Sequence, residues 1–181
     1  MYSIKKELIL KRKSILIFIA ANNFSEDEFL TAKFILEKNN FQVFVASDSN
    51  GLCKGDKDLK VKADVSLFNI HPENFSAFIL IGGIGVRNYW NNSNLLSAVN
   101  KFAKMNKPLG AICAAPVILA KAGTLVNQKA ACFIEDKNEL QKSGAIFSNK
   151  NIVINNNIVT ASNKNFTKEL IEKICDIIYR T

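Results

Sequence analysis

Short, wholly apolar runs alternate along this chain with segments of helical periodicity. Residues 14–20 read as a first buried strand. Residues 26–39 follow as a helix with Phe29, Ala32, Ile35 and Leu36 on one face. Asn39-Asn40 turns the chain into a second strand, 41–46. The polar stretch 47–60 reads as a loop with a small hairpin near Gly51 and Gly55, and 61–65 as a short edge strand. Residues 77–81 form an unbroken apolar strand ended by Gly82-Gly83-Ile84-Gly85. A helix over 95–105, a strand over 108–112 and a helix over 114–123 come next. Residues 130–133 suggest a strand and 137–143 a helix. An Asn-rich turn joins 152–154 to 158–161 as a hairpin, and 165–179 is a terminal helix with Leu170, Ile171, Ile174, Ile177 and Ile178 on its apolar side.

Strands that are apolar on both faces and alternate with helices predict an α/β fold. The expected core is a mostly parallel sheet covered on both faces. Such sheets bind ligands at the carboxyl ends of their strands, near a topological switch. That is where Gly82-Gly83 and Cys113 fall. With 181 residues and no linker or internal repeat, the chain is expected to form one domain over 13–181 behind a basic extension, 1–12.

Composition narrows the functional classes. The chain is 48% hydrophobic, which argues against disorder, and no apolar run approaches the ~20 residues of a membrane span. Lys11-Arg12-Lys13 before the run 15–21 superficially resembles a secretory leader, but a buried first strand reads the same way. The net charge of +8 lies largely in Lys5-Lys6 and Lys11-Arg12-Lys13, with no interleaved aromatics. It predicts a solvated basic surface and no specific nucleic-acid partner. The four cysteines, Cys53, Cys113, Cys132 and Cys175, form no C-x-x-C pair, and His71 is the one histidine. A metal site is not expected, and scattered cysteines suit a reducing cytoplasm.

The candidate chemistry centres on Ala111-Ile112-Cys113-Ala114-Ala115-Pro116. A strand that turns sharply into a helix with cysteine at the corner is a nucleophile elbow, and small neighbours permit the turn. The helix start beneath it favours thiolate over thiol. Gly82-Gly83-x-Gly85 lacks the G-x-G-x-x-G spacing and the later acidic residue of a dinucleotide site, so no cofactor is expected. Its backbone instead offers an N–H that, with that of Ala114, suits an oxyanion site beside Cys113. Ser25 and Glu28 match a capping box, which the local pattern favours. The functional alternative points Glu28 into the cleft, as a carboxyl of raised pKa beside the sulfur. His71 reads as a surface residue, Trp90 as packing and Cys132 as a buried cysteine, with a secondary thiol next to Cys113 as the alternative.

Three separate segments now agree in order and spacing. Ile79-Leu80-Ile81-Gly82-Gly83, the elbow 111–116 with Leu119-Ala120 behind it, and Ile158-Val159-Thr160-Ala161-Ser162 resemble the ThiJ/PfpI family over residue 13 to the last helix. The resemblance implies a flavodoxin-like three-layer sandwich that assembles as a homodimer or larger homo-oligomer. It implies Cys113 as nucleophile, Glu28 as its protonated partner, and the N–H groups of Gly83 and Ala114 as the oxyanion site. Two departures matter. PfpI-type members carry histidine where this chain has Ala114, and others carry one about twenty residues later, where it has Cys132 and Phe133. Without a Cys–His pair, peptidase chemistry ranks last. A cofactor-free glyoxalase or deglycase acting on a small aldehyde or glycated substrate ranks first. A redox-sensing stress protein, working through oxidation of Cys113, is the alternative.

Overall fold

The computed structural model describes residues 13–48 and 51–180; the basic extension 1–12 lies outside them. The strands are β1 (Ser14–Phe18), β2 (Asn22–Phe24), β3 (Gln42–Ser47), β4 (Leu52–Gly55), β5 (Lys60–Lys62), β6 (Val65–Ser66), β7 (Ala77–Leu80), β8 (Leu109–Ile112), β9 (Lys129–Ala130), β10 (Ile146–Phe147), β11 (Ile152–Asn155) and β12 (Ile158–Ala161). The helices are α1 (Glu26–Lys38), α2 (Ser93–Lys104), α3 (Pro116–Lys121), α4 (Lys137–Lys142) and α5 (Thr167–Arg180).

Seven strands form the central sheet in the order β11-β12-β8-β7-β1-β3-β6, parallel except for the β11–β12 hairpin. From β1 the chain goes to β3 on one side, then to β7 and β8 on the other, so the order reverses between β1 and β7. This is the flavodoxin-like arrangement, whose ligand crevice lies at that reversal. In β1, Ile15 to Phe18 pair with Val43 to Ala46 on one side and Ala77 to Leu80 on the other. All four are fully buried, because helices cover both faces.

α1 and α5 pack together on one face, and α5 also covers β8 and β12. Leu170, Ile171, Ile174 and Ile178 make its buried stripe, and Gly110 on β8 leaves room for Leu170 and Ile174. α2 and α3 form the other layer over β7 and β8, with Leu95, Ala98, Val99 and Phe102 inward. Phe78 stacks on Phe102 at 4.9 Å between ring centroids.

Three elements differ from the sequence expectation. The edge strand expected over 61–65 splits in two. β5 pairs antiparallel with β4 in a small separate sheet, and β6 joins the main sheet beside β3. Asp64 makes the switch, since its N–H donates to the Val45 carbonyl and its carboxylate accepts the Val45 N–H, both at 2.8 Å. The strand expected over 130–133 stops at Ala130. Ala131 N–H donates to the Thr160 side chain and Phe133 N–H to Cys113, so the segment leaves its ladder. The helix expected over 114–123 is only Pro116–Lys121, because Ala114 and Ala115 are spent in the turn. Among the described residues, no helix is long and apolar enough to cross a membrane.

Gly85 permits the closest approach in this architecture. A Cβ there would lie 1.8 Å from the carbonyl oxygen of Asn22. Backbone cannot retreat as a flexible side chain can, so Gly85→Ala is expected to cost about 2 kcal/mol or more. Urea denaturation checks this, and a change below about 0.5 kcal/mol would show that the two segments are not held together.

Candidate active site

The elbow is built by main-chain hydrogen bonds. Cys113 N–H donates to the Ala161 carbonyl at the end of β12 (3.0 Å), and its carbonyl accepts from Phe133 N–H (2.8 Å). Ala115 N–H closes the turn onto Ile112, and the Trp90 indole N–H donates to the Ala114 carbonyl at 3.0 Å. Trp90 therefore braces the turn, in keeping with a packing role. Held this way, Cys113 has φ +62°, a left-handed conformation that costs a non-glycine residue roughly 1–3 kcal/mol. The strain projects the sulfur into the crevice at the carboxyl ends of the strands.

Glu28 comes to the same point from α1. The capping box is not formed. Ser25 makes no side-chain cap, and its N–H donates instead to the Gly82 carbonyl at 3.0 Å. The helix start is capped from elsewhere, by Asp56 accepting the Glu26 N–H at 3.2 Å. Buried Glu26 reciprocates by accepting the N–H groups of Lys57 and Leu59. Glu28 is thus free to turn inward, where its carboxyl accepts the Gly82 N–H at 2.7 Å and hydrogen bonds the Ser25 hydroxyl. Gly82 stands between acid and thiol: a Cβ there would lie 2.6 Å from Cys113 Cβ and 2.8 Å from Glu28 Oε2. Only glycine lets the two approach each other.

Burial pushes the Glu28 carboxyl up to about 7, against the hydrogen bonds from Gly82 and Ser25. The N–H groups of Gly83 and Ala114 both bond the Cys113 sulfur and favour its anion. Burial and the charge of Glu28 outweigh them, and the thiol is pushed up to about 11. Against the expected thiolate stands the desolvation of a half-buried sulfur; for it stand the two N–H donors at the start of the six-residue α3. With Glu28 protonated its charge is gone, so the anion sits best on sulfur when the proton sits on the acid.

Four residues singled out from sequence therefore meet: Cys113, Glu28, Gly83 and Ala114. Cys132, 2% exposed, lies beside them on the segment bonded to the elbow. His71 does not join them. It is exposed, contacts Glu73 and Asn69, and precedes the amino end of β7, whose other end carries Gly82. Phe133 lines two cavities that meet at Cys113. One, of about 270 Å³, includes Arg87 and Glu135; the other, about 360 Å³, includes Glu28, Asp56, Asn163 and Lys164. Arg87 pairs at 2.9 Å with Asp136, which is 4% exposed. These wall residues carry no motif, and only the tertiary fold brings them in.

An elbow cysteine and an inward acid at the switch point of a flavodoxin-like sheet define a class, and the family model agrees. Residues 13–176 match the DJ-1/PfpI family, and the chain belongs to it. The uncharacterized protein MJ0967 of Methanocaldococcus jannaschii is 33% identical over 162 residues, spanning 88% of this chain and 79% of that one. Deglycase PfpI of Pyrococcus furiosus is 26% identical over 81% of this chain and 88% of its own. The crystal structure of a ThiJ/PfpI domain protein from Brachyspira murdochii superposes with a TM-score of 0.90 at 23% identity, covering 94% of this chain and 99% of that one.

Glu28 makes stability depend on pH. Between 4.5 and about 7 the folded carboxyl keeps a proton that the unfolded chain has released. Its contribution is therefore fully present below 4.5 and is lost as pH rises through 7, a decline of up to about 3 kcal/mol. Glu28→Gln is expected to gain about 2–3 kcal/mol relative to wild type between pH 4.5 and 8, read by denaturant titration at each pH. Parallel curves for the two proteins would exclude a carboxyl of raised pKa.

Proposed function

We propose that the protein is a cofactor-free enzyme of glyoxalase or deglycase type, acting on small reactive carbonyl compounds with Cys113 as nucleophile and Glu28 as proton carrier. One observation carries this reading: the Cys113 thiol and the buried Glu28 carboxyl, which burial pushes up to about 7, face each other in the crevice across Gly82. The name of the Pyrococcus furiosus relative points the same way. Peptidase chemistry lacks support, since the one histidine lies at the other end of β7 from the thiol.

For a 2-oxoaldehyde the steps balance without an external oxidant. Sulfur attacks the aldehyde carbon, and its proton passes to the Glu28 carboxylate. The N–H groups of Gly83 and Ala114 stabilise the oxygen anion as charge leaves the sulfur. Glu28 returns the proton to that oxygen. It then takes the proton from the thiol-bearing carbon and delivers it to the neighbouring ketone carbon, while the hydroxyl proton on the first oxygen passes to the ketone oxygen. The aldehyde carbon is thereby oxidised to a thioester and the ketone reduced to an alcohol. Water cleaves the thioester, releasing a 2-hydroxy acid and restoring the thiol.

A second reading has its own observation. Two N–H groups already aimed at the sulfur, with a neutral Glu28 beside them, also suit an oxidised sulfur acid, as a stress sensor would need.

The purified protein is expected to convert methylglyoxal to lactate, with a rate that rises as pH passes through about 7, where Glu28 becomes a base. Cys113→Ser should abolish turnover, and Glu28→Gln should lower kcat by about 100-fold or more. Absence of turnover in the wild type, or its survival in Cys113→Ser, would overturn the enzymatic reading.

A further inference from the structure

Cys132 is buried, is used by no step above, and is stitched to the elbow. The Phe133 N–H that follows it donates to the Cys113 carbonyl at 2.8 Å, so the two cysteines lie on adjoining segments, and the charge of Cys113 acts on Cys132. A disulfide requires α-carbons about 4.4–6.8 Å apart, a span that segments joined by a main-chain hydrogen bond can meet. Both segments are anchored on the same strand, Cys113 through its N–H to Ala161 and Ala131 through its N–H to the Thr160 hydroxyl. In the reduced protein the Cys132 thiol is turned aside, donating to the Phe133 carbonyl at 3.2 Å.

The two sulfurs differ in access. Cys113 forms a wall of both cavities, whereas Cys132 is 2% exposed and lines neither. Cys53 lies in the β4–β5 hairpin and Cys175 on α5, both buried. A small oxidant entering the crevice therefore meets Cys113 first, and the sulfur beside it belongs to Cys132.

We infer that Cys132 is a resolving thiol: oxidation of Cys113 by a hydroperoxide is followed by closure of a Cys113–Cys132 disulfide. In the first step the peroxide O–O bond breaks, an S–O bond forms on Cys113, and water (or the alcohol, from an organic hydroperoxide) leaves with the thiol proton. In the second, Cys132 sulfur attacks Cys113 sulfur and the S–O bond breaks. The hydroxide leaves as water with the Cys132 proton. Two electrons pass from the thiol pair to the peroxide, and an external dithiol reverses the bond. Burial, with Asp136 and Cys113 adding, pushes the Cys132 thiol up to about 12, which protects it from direct oxidation by a small peroxide. The disulfide takes the nucleophile out of use reversibly and spares it from irreversible oxidation. None of this requires the carbonyl chemistry proposed above.

The test is peptide mapping of the whole protein after about one equivalent of hydrogen peroxide. The wild type is expected to yield a peptide linking positions 113 and 132, about 2 Da lighter than the reduced pair, which dithiothreitol restores. Cys132→Ser should instead gain about 16 and then about 32 Da at Cys113, reaching the sulfinate about ten-fold faster. A wild type that accumulates Cys113 sulfinate with no linked peptide, at the rate of Cys132→Ser, would overturn the inference. The wild-type map decides alone if the variant does not fold.

Discussion

Gly82 is bonded twice to the start of α1: its carbonyl accepts the Ser25 N–H and its N–H donates to Glu28. This pair of bonds fixes the distance between the end of β7 and the first turn of α1, and the site follows from it. Because the Ser25 N–H is committed to Gly82, Glu28 cannot return to cap it. Because the Gly82 N–H needs a partner in a buried place, the carboxyl supplies one. The acid is thereby drawn from the helix start into the crevice, at the cost of desolvation that lifts its pKa. The absence of a side chain on Gly82 then leaves room for Cys113 on its other flank.

The sheet and its helices were legible because their signals are dense. Apolar runs such as 15–20 and 77–81 can be satisfied only by burial on both faces, and the stripe Leu170-Ile171-Ile174-Ile178 only by a helix lying on them. The cysteine corner was legible because small residues and a proline follow it. Glu28 was named with two directions open: the local pattern favoured the cap, and the family resemblance turned it toward Cys113. Capping is a local rule, and here two tertiary bonds outcompete it, with Asp56 taking over the cap from 30 residues away. The charge state of the thiol was hidden for a related reason. Sequence shows which N–H groups are near a cysteine, but not how much water the fold removes from it. Arg87, Asp136 and Lys164 were invisible because contacts between distant elements leave no periodic trace.

Electrostatically the crevice is a site for one mobile proton. A buried carboxyl and a half-buried thiol each resist ionisation, and each ionises more easily when the other stays neutral. The N–H groups of Gly83 and Ala114 favour charge on sulfur, while those of Gly82 and the Ser25 hydroxyl favour it on Glu28. Such a balance allows proton transfer between the two with little reorganisation, since every donor is backbone or a short hydroxyl already in place. In the proposed mechanism the acid supplies the titration near neutrality that an imidazole would otherwise provide.

Strain at Cys113 persists because the surroundings overdetermine it. Four bonds from β12, Phe133, Ile112 and Trp90 hold the turn, and three of them come from other parts of the chain. The bond from Phe133 ties the elbow to the segment that carries Cys132. Phe133 itself lines both cavities beside the sulfur. A histidine at that place would lend the thiol a base. A cysteine offers it a second sulfur, so under the proposed redox chemistry the same backbone contact that holds the elbow also sets what becomes of the oxidised thiol.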